Sequence, residues 1–166
     1  MEQHEIIMAT SLVLGLLACG LIARWFVLPK LAGRSRNETL LPLIMPHVFR
    51  YIGLGFLLSG VVSADINQGF AGPAAWGDLT AAGLALLAVT ALKHGWKTAV
   101  PLVWVFSIVG LADLVNAVLT GVLTVPANQF GGMYFVPTLV VPMLLITHVL
   151  VVRILLRNET GDVAAR

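Results

Sequence analysis

Five ionisable side chains stand inside long apolar stretches of this chain: His47, Arg50, Asp78, Asp113 and His148. Ionisable groups are costly in hydrocarbon, so they turn inward, find partners and mark functional sites. Residues three or four apart on an α-helix share a face. His47, Arg50 and Tyr51 are then predicted to form one polar face, and Asp113, Asn116 and Thr120 another. An ion pair between Arg50 and Asp113 would cancel two charges, with Asn116 supplying the remaining hydrogen bonds. In its plainest form such a cluster only fixes helix register.

Three chemistries could use these residues. Chains of Asp and His are proton relays, and a mid-membrane Arg suits an anionic group, which points to binding or passage of a small solute, ion or proton. Imidazoles on either side of an iron hold haem b, which makes His47 and His148 candidate axial ligands, with Phe49, Trp104 and Phe106 as aromatic walls. A lipid-directed enzyme with a His or Asp base is the third. The chain holds no Gly-x-Ser-x-Gly, no His-Glu-x-x-His and no phosphate-gripping glycine loop.

The elements that must position these groups follow from composition. Of 166 residues, 58% are hydrophobic and 11% charged. A soluble domain of this size could not hide so much apolar surface in one core. The expectation is an all-α integral membrane protein, a single domain over residues 1–166 that uses the bilayer as its solvent. Crossing about 30 Å of hydrocarbon takes about 20 residues. Five stretches qualify, near residues 6–28, 40–62, 73–92, 98–125 and 133–156, the first ending at Pro29. A net charge of +2 does not signal nucleic acid, because the basic residues cluster between spans.

Arg24, Lys30, Arg34, Arg36, Lys93, Lys97, Arg153, Arg157 and Arg166 all fall on one predicted side. Glu2, Glu5 and Asp65 fall on the other, which receives no Lys or Arg. The positive-inside rule then places the N-terminus outside and the C-terminus in the cytoplasm, in the inner membrane of a bacterium. Trp25, Trp76, Trp96 and Tyr134 are read as boundary residues at headgroup level. With these spans, His47 and His148 share an inner level about 10–12 Å from the cytoplasmic ends. Asp78, about 8 Å from the other surface, is read with Asp113 as an outer layer, and Arg50 lies between.

Small residues such as Ala81, Ala82, Gly83 and Ala85 predict close helix approach, within the bundle, to a second copy or to a larger membrane complex. Gly77-Asp78-Leu79 is echoed by Ala112-Asp113-Leu114. Pro42, Pro46, Pro137 and Pro142 could kink their helices and open a cavity beside the histidines. The single cysteine, Cys19, excludes an intramolecular disulfide and packs as a small hydrophobe. In length and helix count the chain resembles the small tryptophan-rich sensory proteins of the translocator family. Its tryptophans are scattered and its joints hold no Trp-Pro-Pro style motif, so no residue role carries over.

Overall fold

The computed structural model describes residues 2–157, which leaves Arg166 outside the described residues. The described residues are all-helical, and among them five helices are long and apolar enough to cross a membrane: α1 (Gln3–Leu31), α2 (Arg36–Leu57), α3 (Gln68–Lys93), α4 (Ala99–Thr124) and α5 (Val136–Leu156). They alternate in direction. One end of the bundle therefore carries Glu2, Glu5 and Asp65 and is termed the acidic end. The other carries Lys30, Arg34, Lys93, Lys97 and Arg157 and is termed the basic end.

Local chemistry sets the helix ends, and several lie outside the stretches read from hydropathy. The first helix runs through Pro29 to Leu31, because a π-helical turn over Ala23–Val27 absorbs the disturbance around the proline. α2 begins at Arg36 rather than near residue 40, because Ser35 and Glu38 form a capping box. The Glu38 amide is bonded to Ser35 Oγ at 3.4 Å, and Ser35 N donates to Glu38 Oε2 at 3.0 Å. α3 starts five residues before Pro73, at Gln68, where the Asn67 side chain caps Gly69 N at 2.8 Å. Trp76, read as a boundary residue, consequently lies eight residues inside α3.

At the acidic end the loop after α2 and a short 3-10 helix, Ala127–Tyr134, are tied together. Gly132 N donates to Val61 O at 2.7 Å and Ser63 N to Gln129 O at 3.0 Å. Gly131 has φ +50° and lies against Val61 O where a Cβ would overlap it, so both backbone conformation and space demand glycine there.

α3 is the central helix, packed on both α2 and α4. Its alanines at 81, 85 and 88 are fully buried, so the small-residue stripe serves contacts inside the bundle. Two large apolar cores form, beside a small cluster of Leu114, Val141 and Leu144. One, toward the basic end, gathers Leu40, Leu43, Ile44, Ala88, Val103, Phe106 and Val151. The other, toward the acidic end, is built on Phe56, Phe70 and Phe130, whose rings meet edge to face at 5.2–6.2 Å. The polar residues lie between the two cores.

α1 stands at the periphery and leans chiefly on α5. Gly15 rests against Thr138 O and Pro142, and Ser11 Oγ and Tyr134 Oη are hydrogen-bonded at 2.6 Å. The outward face of the bundle is apolar, with Leu14, Trp25, Phe26, Ile108, Val122 and Val149 all largely exposed. Contiguous exposed apolar surface of this kind marks a membrane or protein interaction face.

Candidate functional site

The site starts from an unusual stretch of backbone. α2 is α-helical over Arg36–Ile44 and then 3-10 helical over Met45–Leu57, 13 residues in a conformation that seldom exceeds three or four. Pro42 lies inside the α-helical part and Pro46 stands at the start of the 3-10 part. Neither has an N–H to give to an α-helical ladder. A 3-10 helix repeats every three residues, and the buried residues of this segment are His47, Arg50, Gly53 and Phe56. They form one straight line down the helix. Tyr51, four residues from His47, rotates about 120° off that line. It is exposed and sits near Phe49 at 6.3 Å, so Tyr51 does not belong to the buried site that the α-helical spacing gave it.

Arg50 is 2% exposed and each of its three guanidinium nitrogens is engaged. Nε donates to Asp78 Oδ1 at 2.7 Å, Nη1 to Gly110 O at 2.9 Å, and Nη2 to Asp113 Oδ2. The echoed Asp78 and Asp113 thus grip one guanidinium from two helices. Asn116, read as a further partner, is exposed and turned away, about 240° around α4 from Gly110. The Arg50 hydrogen bond assigned to it is accepted by the Gly110 carbonyl instead.

The helix ends reset the depths. Asp78 lies about 15 Å along α3 from Gln68, Asp113 about 16 Å along α4 from Thr124, and Arg50 about 14 Å from Leu57 at the longer 3-10 rise. The carboxylates are therefore level with Arg50 and form no separate outer layer. The depth read for Asp78 was short because hydropathy starts that span at Pro73, five residues inside α3.

Three glycines make room for this cluster. A Cβ on Gly53 would overlap the Asp78 carboxylate, and one on Gly77 would overlap Asp113 Oδ1. At Gly110 it would stand 3.4 Å from Arg50 Nη1 and 3.3 Å from His148 Cε1. Nothing in hydropathy marks them. The one available signal was adjacency, since Gly77 precedes Asp78 in the echoed tripeptide.

His47 and His148 lie about 6 Å toward the basic end, one 3-10 turn from Arg50. Both are fully buried. Their rings meet edge to face at 4.8 Å, and Phe106 stacks on His148 at 5.1 Å. His47 Nε2 is hydrogen-bonded to Thr147 Oγ1 at 3.0 Å and His148 Nε2 to Ser107 O at 3.1 Å. His47 Nδ1, His148 Nδ1 and Ser107 Oγ have no hydrogen-bond partner among the described residues. Rings in direct contact leave no slot for a porphyrin between them, so this arrangement does not fit bis-axial haem. Phe49, assigned to its wall, is 53% exposed and stands off the buried line of α2.

A cavity of about 430 Å³ opens on the opposite side of Arg50 from the histidines. All five helices line it. Its walls include Met8, Phe56, Phe70, Val118 and Leu144, Arg50 and Asp78 form its floor, and Glu5 stands at its acidic-end mouth. Pro137 does border it, but the histidines do not. Phe49 and Ile52 of α2 and Met8 and Leu12 of α1 also line it, and both α2 residues are half exposed. A second hollow, lined by Leu111, Val149 and Arg153, is a shallow apolar groove that none of these polar groups lines.

A family model described as Domain of unknown function (DUF8737) matches residues 7–156, and the chain belongs to that family. No curated protein and no solved structure matches it.

Proposed function

We propose that this chain is a multi-pass protein of a bacterial inner membrane, basic end in the cytoplasm, that binds a small and mostly apolar molecule in the five-helix cavity. The observation that carries the reading is the cavity itself. It has the size of ligand pockets, apolar walls, and a few convergent polar groups at one end. Charged floors below apolar walls orient a ligand, because the ligand's one polar group has a single place to satisfy its hydrogen bonds. Passage of a solute right through is the weaker reading. Beyond the Arg50 layer, the packed histidines, Phe106, Val103 and Leu43 fill the interior.

Binding of the neutral fluorophore N-phenyl-1-naphthylamine to the protein in lipid nanodiscs tests this. Saturable binding above that of empty discs is expected, and Val118→Trp, which fills the cavity, abolishes it while helix content stays unchanged. Wild-type discs that take up no more probe than empty discs, or a Val118→Trp protein that binds as wild type does, would refute the reading.

A further inference from the structure

The preference for a particular head group follows from charge and valence at the cavity floor, and rests on the reading just given. Arg50 contributes one positive charge, and Asp78 and Asp113 one negative charge each when ionised. The cluster is thus formally negative by one, and Glu5, at the mouth, adds a charge of the same sign. Arg50 already gives three of its five N–H groups to protein oxygens, and two carboxylates outweigh its charge, so it is poorly placed to receive an anion. The open acceptor valence that borders the cavity belongs to Asp78. Its Oδ1 accepts from Arg50, whereas Oδ2 lies against Gly53, a residue that lines the cavity with it, and accepts no hydrogen bond from the described residues.

We propose that the cavity selects an amphipathic amine, an apolar body carrying a protonated N–H head group that donates to Asp78 Oδ2. The cost of burying a cation is offset only where an opposite charge and good hydrogen bonds meet it. Here it cancels the excess negative charge of the Arg50, Asp78 and Asp113 cluster. The head group gains a charge-assisted hydrogen bond, and the body lies against Phe56, Phe70, Val118 and Leu144. An anionic amphiphile would set a second unpaired negative charge beside the first. A neutral alcohol would keep the apolar contacts and lose the charge term. The expected order is amine, then alcohol, then carboxylate.

Three ten-carbon probes that differ only in head group decide the matter: decylamine, decanol and decanoate, each used to displace N-phenyl-1-naphthylamine from protein in nanodiscs at pH 7, with empty discs subtracted. Decylamine is expected to displace at a concentration at least tenfold below that of decanol, with decanoate the weakest. Asp78→Asn should bring decylamine within about twofold of decanol while the fluorophore still binds. Equal potency of amine and alcohol overturns the proposal, since it means the excess charge is already neutralised without a ligand. Decanoate as the tightest probe overturns it too. The wild-type ranking decides even where Asp78→Asn fails to fold. A fluorophore that binds but shows no amine preference removes this inference and leaves the cavity reading standing; one that never binds removes both.

Discussion

Adding a single methyl group at Gly77 should break the polar layer, whereas the same change six residues along α3 should not. A Cβ at Gly77 overlaps Asp113 Oδ1, so the carboxylate must leave its place against Arg50 or the helices must separate. The loss of a hydrogen bond to a charged group costs about 1.5–3 kcal/mol and overpacking a filled site about 1–3, against about 1 regained from alanine's helix propensity. The net expectation is a destabilisation of roughly 2–5 kcal/mol. At Gly83 a Cβ meets nothing within 4 Å, so Gly83→Ala keeps only the propensity term and stabilises by up to about 1 kcal/mol. The two substitutions are chemically identical and should differ in sign. Equilibrium unfolding in mixed micelles measures both. Asp113→Ala supplies the internal check: once that side chain is shortened, Gly77→Ala should lose most of its cost, so the two sites are strongly coupled in a double-mutant cycle. Equal effects at Gly77 and Gly83, or additivity of Gly77→Ala with Asp113→Ala, would show that the packing of Asp113 on Gly77 is wrong.

Arg50→Met leaves Asp78 and Asp113 without their shared partner and should cost about 3–5 kcal/mol, whereas the triple change Arg50→Met, Asp78→Asn and Asp113→Asn should recover most of it. A triple variant no more stable than the single one, by the same unfolding assay, would mean the cluster holds the fold through more than charge balance. Ser107→Ala should raise stability by about 1 kcal/mol, because Ser107 Oγ is buried without a partner; a drop would reveal a hydrogen bond to it. For orientation, a Cys19→Ala background carrying Asp65→Cys should react with an impermeant maleimide in intact cells, and one carrying Lys97→Cys only after the cells are opened. The reverse pattern would place the basic end outside.

Composition and hydropathy made the number of long apolar helices legible, because each such helix satisfies its own backbone hydrogen bonds and needs no information from its neighbours. The alternation of charge between joints was legible for the same reason. Even some helix ends could have been read locally: Ser35-x-x-Glu38 is a capping-box pattern that hydropathy alone passes over. The choice of ionisable residues also needed no tertiary information, since any charge inside such a stretch stands out. The ion pair between Arg50 and Asp113 followed from charge complementarity, but the second grip by Asp78 and the third by the Gly110 carbonyl did not.

Tertiary structure decided which of those residues meet. Tyr51 was given to the site by a period of 3.6, and the backbone after Pro46 runs at a period of 3, which carries Tyr51 outward and aligns Gly53 with Arg50. Asn116 shares a stripe with Asp113 in sequence, yet α4 presents Gly110 and not Asn116 to Arg50. The histidines share a level, as their spacing suggests, but the separation of their rings depends on how α2, α4 and α5 pack, and Phe106 and the two imidazoles fill the space between them. Sequence fixes what each helix must bury. Where two helices touch depends on side chains of both at once, and three glycines on three different helices, each making room for a charge or ring carried by another helix, are visible only when those helices have come together.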